Sequence, residues 1–412
     1  MFITYRVVAG DTFSAIARKV YGSELQATRI ANANPGVIQP LVAGTTVAIP
    51  PIPGSPSNRP QSGIADNVNE CALLIDNERF RFWESVTIHR AIDSISTMEF
   101  VAPFDPTQTE QREIFRPFSY KTAEFTVGGN RLFTGTLMGI IPELTPDSKT
   151  LALGGYSTPG VLNDCMMPAS AYPLNELNDL TLADIAERIA GVFGIEVVFE
   201  AAPGAKFDRV ALPQNKKLLS FLADLAKQRG LVLTDDERGR LVFKKSIDTG
   251  VPVARLFEGA PPLISVDTFH DPQQYYSHIT GIEPVAVGTS GSQFTVKNAR
   301  LAGVLRPYTF TVKDAIGGDM QPATEAQTGR MFGTMASYSA AVSTWRDEDG
   351  ELWSPNTVVQ LLAPGAMVYT EYNFIVRSVT FERTANSESA VLDLVMPGSF
   401  SGQVPESLPW DD

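Results

Sequence analysis

Few side chains in this 412-residue sequence are suited to nucleophilic or acid–base chemistry. There are three histidines and two cysteines: His89, His270, His278, Cys71 and Cys165. A cysteine peptidase of the cell-wall type needs a thiolate activated by a positioned histidine. Cys165 is followed by two methionines rather than by small residues, and the next histidine lies 105 residues further on. We therefore interpret Cys165 as a buried core residue and not as a nucleophile.

Other catalytic and ligand-binding patterns are equally weak. His270 and His278 are eight residues apart, which fits no helical or strand-paired metal spacing. Asp347 and Asp349 resemble a calcium loop only faintly and are expected to form a hairpin turn. There is no phosphate-binding loop and no dinucleotide fingerprint. A glycosidase needs only two carboxylates, and the sequence excludes no pair among its 46 acidic residues. The prediction is a protein without a catalytic site, cofactor or metal.

Composition and charge narrow the class of protein. Hydrophobic residues make up 43% and charged residues 19%, which is typical of globular chains. The formal net charge is −13; residues 1–50 carry +2, so the remainder carries −15. This balance argues against tight nucleic-acid binding. The sequence has no apolar run long enough for a membrane segment and no visible secretory signal. Two widely spaced cysteines fit synthesis in a reducing compartment.

Residues 1–50 have the periodicity of a complete small unit. Aromatic and β-branched residues before Val8 favour a strand. Next comes a turn, in which Asp11 or Thr12 caps a helix. The apolar residues of that helix recur at helical spacing: Phe13, Ile16, Ala17 and Val20. A second helix is predicted to stop at Asn34-Pro35-Gly36, and a second strand runs to Ile49. The predicted order is strand, helix, helix, strand.

This unit resembles a LysM module. The residues that carry the resemblance are Tyr5, Val7, Gly10-Asp11-Thr12, Ile16-Ala17, Tyr21-Gly22, Ile30, Asn34, Leu41, Gly44 and Val47-Ala48-Ile49-Pro50. LysM modules bind N-acetylglucosamine polymers between the first strand–helix loop and the last helix–strand loop. The resemblance implies a groove for glycan or a partner protein at Gly10, Asp11, Thr12, Phe13, Pro35, Gly36, Val37 and Ile38. Which ligand it holds stays open, because a module fold does not fix its ligand.

Beyond residue 50 the composition changes several times. Proline, glycine and serine dominate first, which predicts a semi-extended tether. Short strands with turn residues follow, then helical periodicity, then strands again. The predicted parts are residues 1–50 (LysM module), 51–68 (linker), 69–156 (first β-barrel region), 157–250 (small α/β domain), 251–400 (second β-barrel region with a helical insertion) and 401–412 (C-terminal tail). The predicted fold class is multidomain α+β, mostly β.

Local patterns give sharper expectations within these parts. Asp76-Asn77 and Gly128-Gly129-Asn130 predict hairpin turns. Thr181 and Asp184 have the spacing of a helix cap, and the helix they begin is expected to bury Ile185 and Ile189. A second helix is expected to bury Phe221 and Leu225, and a further helix is predicted over residues 323–337. The carboxylate run of residues 235–239 is interpreted as a solvated turn. The tail PESLPWDD is expected to be unpacked, with Trp410 available for docking.

The order of all these parts resembles the baseplate hub proteins of contractile-tailed phages such as Mu. The resemblance covers roughly Asn69–Phe400 and rests on ARLFEGAPPLISVDTFHD, RDEDGELWSPNTVVQL and YNFIVRSVTFERTANSESAVLDLVMP. It implies two barrels related to tail-tube proteins and a homotrimer whose six barrels match a hexameric tube. It also implies a virion location in the tail baseplate, with a tail tube protein and a trimeric spike protein as partners. The first module is then expected to dock a peripheral baseplate protein.

One alternative comes from a different class of function. LysM modules are often attached to peptidoglycan hydrolases, so the chain could be a LysM-anchored protein that binds or degrades the cell wall. A hub should be a stable trimer, whereas such a hydrolase is usually monomeric and lyses cell-wall sacculi. The mass of the protein in solution therefore separates the two hypotheses.

Overall fold

The structure is a computed structural model. It describes residues 3–21, 27–37, 40–49, 70–81, 83–145, 149–171, 177–213, 215–283, 291–301, 303–312, 320–384, 387–400 and 407–411. The predicted tether, residues 51–68, lies outside these residues. Strands account for 41% and helices for 21%, which confirms a mostly β fold. The chain divides into two compact units, Met1–Ala72 with Thr126–Asn130 and Leu73–Phe125 with Arg131–Asp412, and each is described by itself.

The N-terminal module has the predicted order of elements. They are β1 (Ile3–Arg6), α1 (Phe13–Tyr21), α2 (Ala27–Ala33) and β2 (Thr46–Ile49). The two strands pair antiparallel, with Ile3 opposite Ile49 and Arg6 opposite Thr46. Ile16, Ile30 and Val47 are fully buried, so apolar residues from both helices and β2 share one core.

The rest of the chain contains nineteen strands and five helices among its described residues. The first strand-rich part has β3 (Cys71–Ile75), β4 (Glu78–Phe80), β5 (Ser85–Ala91), β6 (Thr97–Pro103), α3 (Thr109–Ile114), β7 (Thr122–Val127), β8 (Asn130–Leu144) and β9 (Lys149–Ser157). The middle part has α4 (Val161–Asp164), α5 (Leu182–Gly191), β10 (Val197–Phe199), α6 (Leu218–Gln228), β11 (Val232–Asp235) and β12 (Leu241–Lys244). The last part has β13 (Ala254–Phe257), β14 (Leu263–His270), β15 (His278–Ile282), β16 (Gln293–Lys297), β17 (Pro307–Thr311), α7 (Met320–Met335), β18 (Ala336–Val342), β19 (Val358–Ala363), β20 (Val368–Thr384) and β21 (Glu388–Val395).

The two strand-rich parts share one hydrogen-bonded sheet of thirteen strands. Its main path is β14-β18-β21-β20-β5-β6-β9-β8-β7-β3-β4, and β19 pairs with β20 and β13. The sequence predicted β-barrel regions at residues 69–156 and 251–400; one continuous sheet runs through both, and their barrel form stays a prediction. The physical cause of this continuity is the length of β20, which is 17 residues. The first half of β20 pairs with β19, and its second half pairs with β5.

The α/β part has its own core and a three-stranded sheet in the order β10-β12-β11. The predicted cap is present: the Thr181 hydroxyl accepts from the Asp184 amide, and the Asp184 carboxylate accepts from the Thr181 amide. This reciprocal pair satisfies backbone donors that the first helical turn leaves unpaired. Ile185, Ile189, Phe221 and Leu225 all face the common core, as the spacing predicted.

A smaller substructure lies within the last strand-rich part. β16, β15 and β17 form a second three-stranded sheet, and α7 packs against β15 and β16. The helical periodicity predicted a helix over residues 323–337, and α7 spans Met320–Met335. Thr324 and Thr328 are buried in it, and each hydroxyl donates to the carbonyl four residues earlier.

Asp235 is buried, so the prediction of a solvated turn at residues 235–239 is wrong at this residue. The residue is 6% exposed, and its Oδ1 accepts from the backbone N–H of Ser96 at 2.7 Å and from the Ser96 hydroxyl at 3.0 Å. Burial raises the pKa of the Asp235 carboxyl. The neighbouring Thr234 hydroxyl donates to the carbonyl of Ala91 at 2.6 Å. Together these bonds attach β11 to the loop between β5 and β6.

The last described residues, 407–411, are packed, which corrects the prediction of an unpacked tail. Leu408 is buried, and the Tyr372 hydroxyl donates to the carbonyl of Ser407 at 3.0 Å. The Trp410 ring lies 5.2 Å from the His270 ring, centroid to centroid. The Asp411 carboxylate pairs with Arg300 at 2.8 Å. Trp410 therefore docks on its own chain.

Candidate interaction surfaces

The first loop of the N-terminal module is held together by Asp11. Its carboxylate accepts from the Tyr5 hydroxyl at 2.9 Å, the Val8 amide at 2.9 Å and the Lys19 ammonium at 2.7 Å. Burial acts to raise the pKa of Asp11, but the bonds from Lys19 and Val8 outweigh it, and the pKa is lowered. Thr12 supplies the helix cap, because its hydroxyl accepts from the Ala15 amide at 3.1 Å. Asp11 is thus a structural anchor.

Phe13, one of the predicted groove residues, is buried and cannot contact a ligand. It is 6% exposed and packs in the module core with Ile16 and Ile30. Val37 is half-buried against the same core, and Ile38 lies outside the described residues. Among the predicted groove residues, Gly10, Thr12, Pro35 and Gly36 are exposed. The structure thus leaves a rim of small and polar residues open to a ligand.

Asn34 fixes the second loop of the predicted groove. Its Nδ2 donates to the carbonyls of Ile30 at 2.8 Å and Ala48 at 2.7 Å. Its Oδ1 accepts from the Ala48 amide at 2.6 Å. These three bonds hold the end of α2 against β2. They therefore fix the position at which the loop with Pro35 and Gly36 begins.

The histidines and Cys165 lie in separate surroundings. The His89 ring lies 3.0 Å from the Thr380 hydroxyl across the β5–β20 pairing, and the His278 ring lies 3.0 Å from the Ser277 hydroxyl. Cys165 is a free thiol and is half-buried, not fully buried as expected. Within the described ranges, no group of three or more histidine, cysteine, aspartate or glutamate side chains could hold a metal ion.

The thirteen-stranded sheet ends at β14, whose only partner in the described sheet is β18. Ile264 is 61% exposed and Phe269 is 64% exposed, and no residue of this strand is fully buried. Exposed apolar strands at a sheet edge favour pairing with another chain. β14 is therefore the strongest candidate for a subunit contact in the strand-rich part.

No described helix is both long enough and apolar enough to cross a membrane.

Two family models match parts of the chain. The model described as Phage Tail Protein X matches residues 4–57, which include the N-terminal module. The model described as Baseplate hub protein gp44-like, second domain, matches residues 159–245, which include α4 to α6 and β10 to β12.

Three known proteins are similar over most of the chain. The baseplate hub protein gp44 of Escherichia phage Mu is 24% identical over 309 residues, which cover 71% of this chain and 79% of that protein. The crystal structure of the prophage MuSo2 43 kDa tail protein from Shewanella oneidensis has a TM-score of 0.69 at 22% identity. It covers 80% of this chain and 99% of its own.

The third is an Escherichia coli component of the type VI secretion system, described as structurally similar to the T4 bacteriophage tail proteins gp27 and gp5. It has a TM-score of 0.52 at 9% identity, over 81% of this chain and 79% of its own. At these identities the solved structures establish a common fold. Sequence and fold together make this chain similar to Mu-type phage baseplate hub proteins, with a module similar to Phage Tail Protein X at its N-terminal end.

Proposed function

We propose that this protein is a non-enzymatic baseplate hub of a contractile phage tail. In this proposal three copies form a ring that joins the hexameric tail tube to the trimeric spike and lines the DNA exit channel. The protein is a virion component assembled in the host cytoplasm. The observation that carries the proposal is the single sheet through both strand-rich parts, which ends at the exposed strand β14. The similarity to gp44 of phage Mu supports it.

Ring closure has a physical rationale in this sheet. An open sheet with an exposed apolar edge favours uncontrolled pairing, and a closed oligomer covers that edge. Two strand-rich parts per chain give six in a trimer, which matches the six subunits of the expected tube.

The charge of the body supports a channel that does not hold DNA. Each phosphate–cation contact strengthens DNA binding through counterion release, and DNA leaving a tail has to slide. Outside residues 1–50 the formal net charge is −15, so repulsion opposes adsorption to the channel wall. Tight binding of duplex DNA at physiological salt would contradict this part of the proposal.

The proposed ring contact is tested by replacing exposed apolar residues of β14 with glutamate. Fully burying an isoleucine or phenylalanine side chain contributes about 1.5–3 kcal/mol, and Ile264 and Phe269 are each about 60% exposed in one chain. Covering both contributes about 2–4 kcal/mol per contact. We expect Ile264→Glu with Phe269→Glu to weaken each contact roughly 30- to 700-fold.

The control carries Val251→Glu with Leu305→Glu, which are also exposed apolar residues but lie outside β14. Light scattering should show dissociation of the β14 variant alone, with the melting temperature of the chain little changed. A β14 variant that keeps three times the monomer mass would refute this choice of contact.

For the N-terminal module we propose a LysM-like docking role toward a peripheral baseplate protein. The module is mildly basic while the rest of the chain is acidic, so it can attract an acidic neighbour over about 8 Å at physiological salt. Its exposed rim, Thr12 with Pro35 and Gly36, rests on the Asp11 and Asn34 anchors described above.

Pro35→Glu alters this rim without touching either anchor, and Asn32→Glu on the exposed side of α2 is the matched control. In virions we expect Pro35→Glu, but not the control, to reduce attachment of a peripheral baseplate protein. Normal, infectious baseplates that no longer bind peptidoglycan would instead favour the alternative, a glycan-binding module.

A further inference from the structure

A cleft of about 610 Å³ lies where three parts of the body meet. Its walls come from the loop between β5 and β6, from α6 with β11, and from α7. Its volume falls in the range of roughly 300–1,000 Å³ that is usual for sites holding a ligand or a few residues of peptide. Nothing in the proposed ring or in the N-terminal module uses this cleft.

The cleft contains a guanidinium without a carboxylate partner among the described residues. Arg330 of α7 is half-buried, and its Nη2 donates to the Gln327 side-chain oxygen at 2.8 Å. Burial lowers the pKa of Arg330, and the negative charge of Asp224 acts in the opposite direction. An arginine stays protonated in proteins, so a desolvated guanidinium gains most from an anion brought to it.

The other charged side chains of the cleft lead to the same inference. Lys227 lies 3.8 Å from Asp224, and Lys245 is exposed with no ion pair in the described part of the chain. Of the three lining carboxylates, Asp93 pairs with Arg377, while Asp248 and Glu325 accept from neutral amides and keep their charge. The lining also includes Arg229, so four cations stand against three carboxylates. The cleft therefore offers positive charge to a bound anion, although the protein as a whole is acidic.

One wall of the cleft is a sheet edge. β11 is the terminal strand of the order β10-β12-β11, and its residues Val232 and Leu233, with Leu231 before them, line the cleft. The described residues place no backbone partner on the side of β11 away from β12. Because Thr234 and Asp235 are attached to the loop between β5 and β6, the edge that faces the cleft is the first half of the strand, at Val232 and Leu233. A free edge of this kind binds extended peptides by adding them as a further strand.

We propose that the cleft binds an extended segment of a partner protein that carries an acidic side chain, with the segment's backbone along β11 and its carboxylate on Arg330. The fork of the guanidinium matches a carboxylate with two parallel bonds. Leu219, Leu233 and Phe400 give the cleft apolar walls, which suit a peptide better than a free small anion. The net charge of the body opposes a nucleic acid strand. This site goes beyond the proposed hub function and does not depend on the ring.

The test uses the full chain and two labelled probe peptides, N-acetylated and C-amidated Thr-Val-Glu-Val-Thr-Val and the same peptide with glutamine in place of glutamate. We expect the glutamate peptide to bind about tenfold more tightly, a difference of about 1.4 kcal/mol. Arg330→Met should abolish that preference. Ser220→Trp fills the cleft from the exposed side of α6 and should lower the affinity for both peptides. Arg238→Met, an exposed cation in the turn after β11, should change neither affinity.

Several outcomes overturn the proposal. They are equal affinity of the wild type for both peptides, a preference that survives Arg330→Met, and no binding of the glutamate peptide up to about 1 mM. Competition by acetate or inorganic phosphate as effective as by the peptide would assign the cleft to small anions instead. Melting curves check that each variant is folded. If Arg330→Met unfolds the chain, Arg330→Lys keeps the charge but loses the fork, and a full glutamate preference in it counts against the proposal.

Discussion

Asn34 is predicted to control the stability of the whole N-terminal module. Its side chain is 9% exposed and makes three hydrogen bonds, two of them to both backbone groups of Ala48 and one to the carbonyl of Ile30. A buried amide in this position joins α2 to β2, which are otherwise separated by a loop. We therefore expect Asn34→Ala to loosen the module as a unit.

The magnitude follows from the three bonds. A hydrogen bond contributes about 0.5–1.5 kcal/mol net, so their loss costs about 3 kcal/mol. A core as small as that of residues 1–50 rarely supplies more than about 3–5 kcal/mol. Asn34→Ala should therefore bring the module close to the point of unfolding and leave the second compact unit intact.

Amide hydrogen exchange on the full chain measures this effect. A loss of about 3 kcal/mol speeds exchange of the protected module amides roughly 100-fold, while β20 and β21 keep the rates of the wild type. Asn32→Ala is the control, because Asn32 is exposed on the same helix and should change stability by less than about 0.5 kcal/mol. Exchange within threefold of the wild type in Asn34→Ala, or equal acceleration in Asn32→Ala, would show that the Asn34 side chain does not control the stability of the module.

Two further predictions concern buried or paired carboxylates. The pKa of Asp235 is raised in the folded chain, so the contribution of this residue to stability should increase as pH falls from 7 toward about 4. Asp235→Asn should remove that contribution from the difference between wild-type and variant melting curves, whereas Asp235→Ala leaves the buried Ser96 amide unpaired and should cost about 1–3 kcal/mol at every pH. The Leu408 amide and Arg300 lower the pKa of Asp411, so its contribution is present above about pH 4 and lost below it; Asp411→Asn should speed amide exchange at Leu408 at pH 7 and remove that acid dependence, and unchanged exchange would count against the packed tail.

Local features of the fold were predictable from sequence because their causes are local. Asp76 and Asn77 have φ of 49° and 67°, and Gly128 and Gly129 have φ of 56° and 82°, as the predicted hairpin turns require. The cap at Thr181 depends on a neighbour three residues away. Helical spacing identified the buried faces of α5 and α6 in the same way.

Features that depend on distant partners were missed. Nothing near Ser378 indicates that it pairs with Ala91, which lies in the other strand-rich part. The run at Asp235 has the composition of an exposed turn, and only the approach of Ser96 makes its burial favourable. Phe13 was predicted as a groove residue, although its helical spacing with Ile16 and Ala17 also indicated a buried side chain. The structure buries it. Arg330 gave no sequence signal, because its surroundings come from three separate segments.

In the proposed hub, three copies of this chain form the ring. Light scattering coupled to gel filtration tests it most directly on the purified full-length protein at micromolar concentration. We expect one species of three times the 44.7 kDa monomer mass. A monomer under these conditions, and still a monomer when tail tube and spike proteins are added, would contradict it.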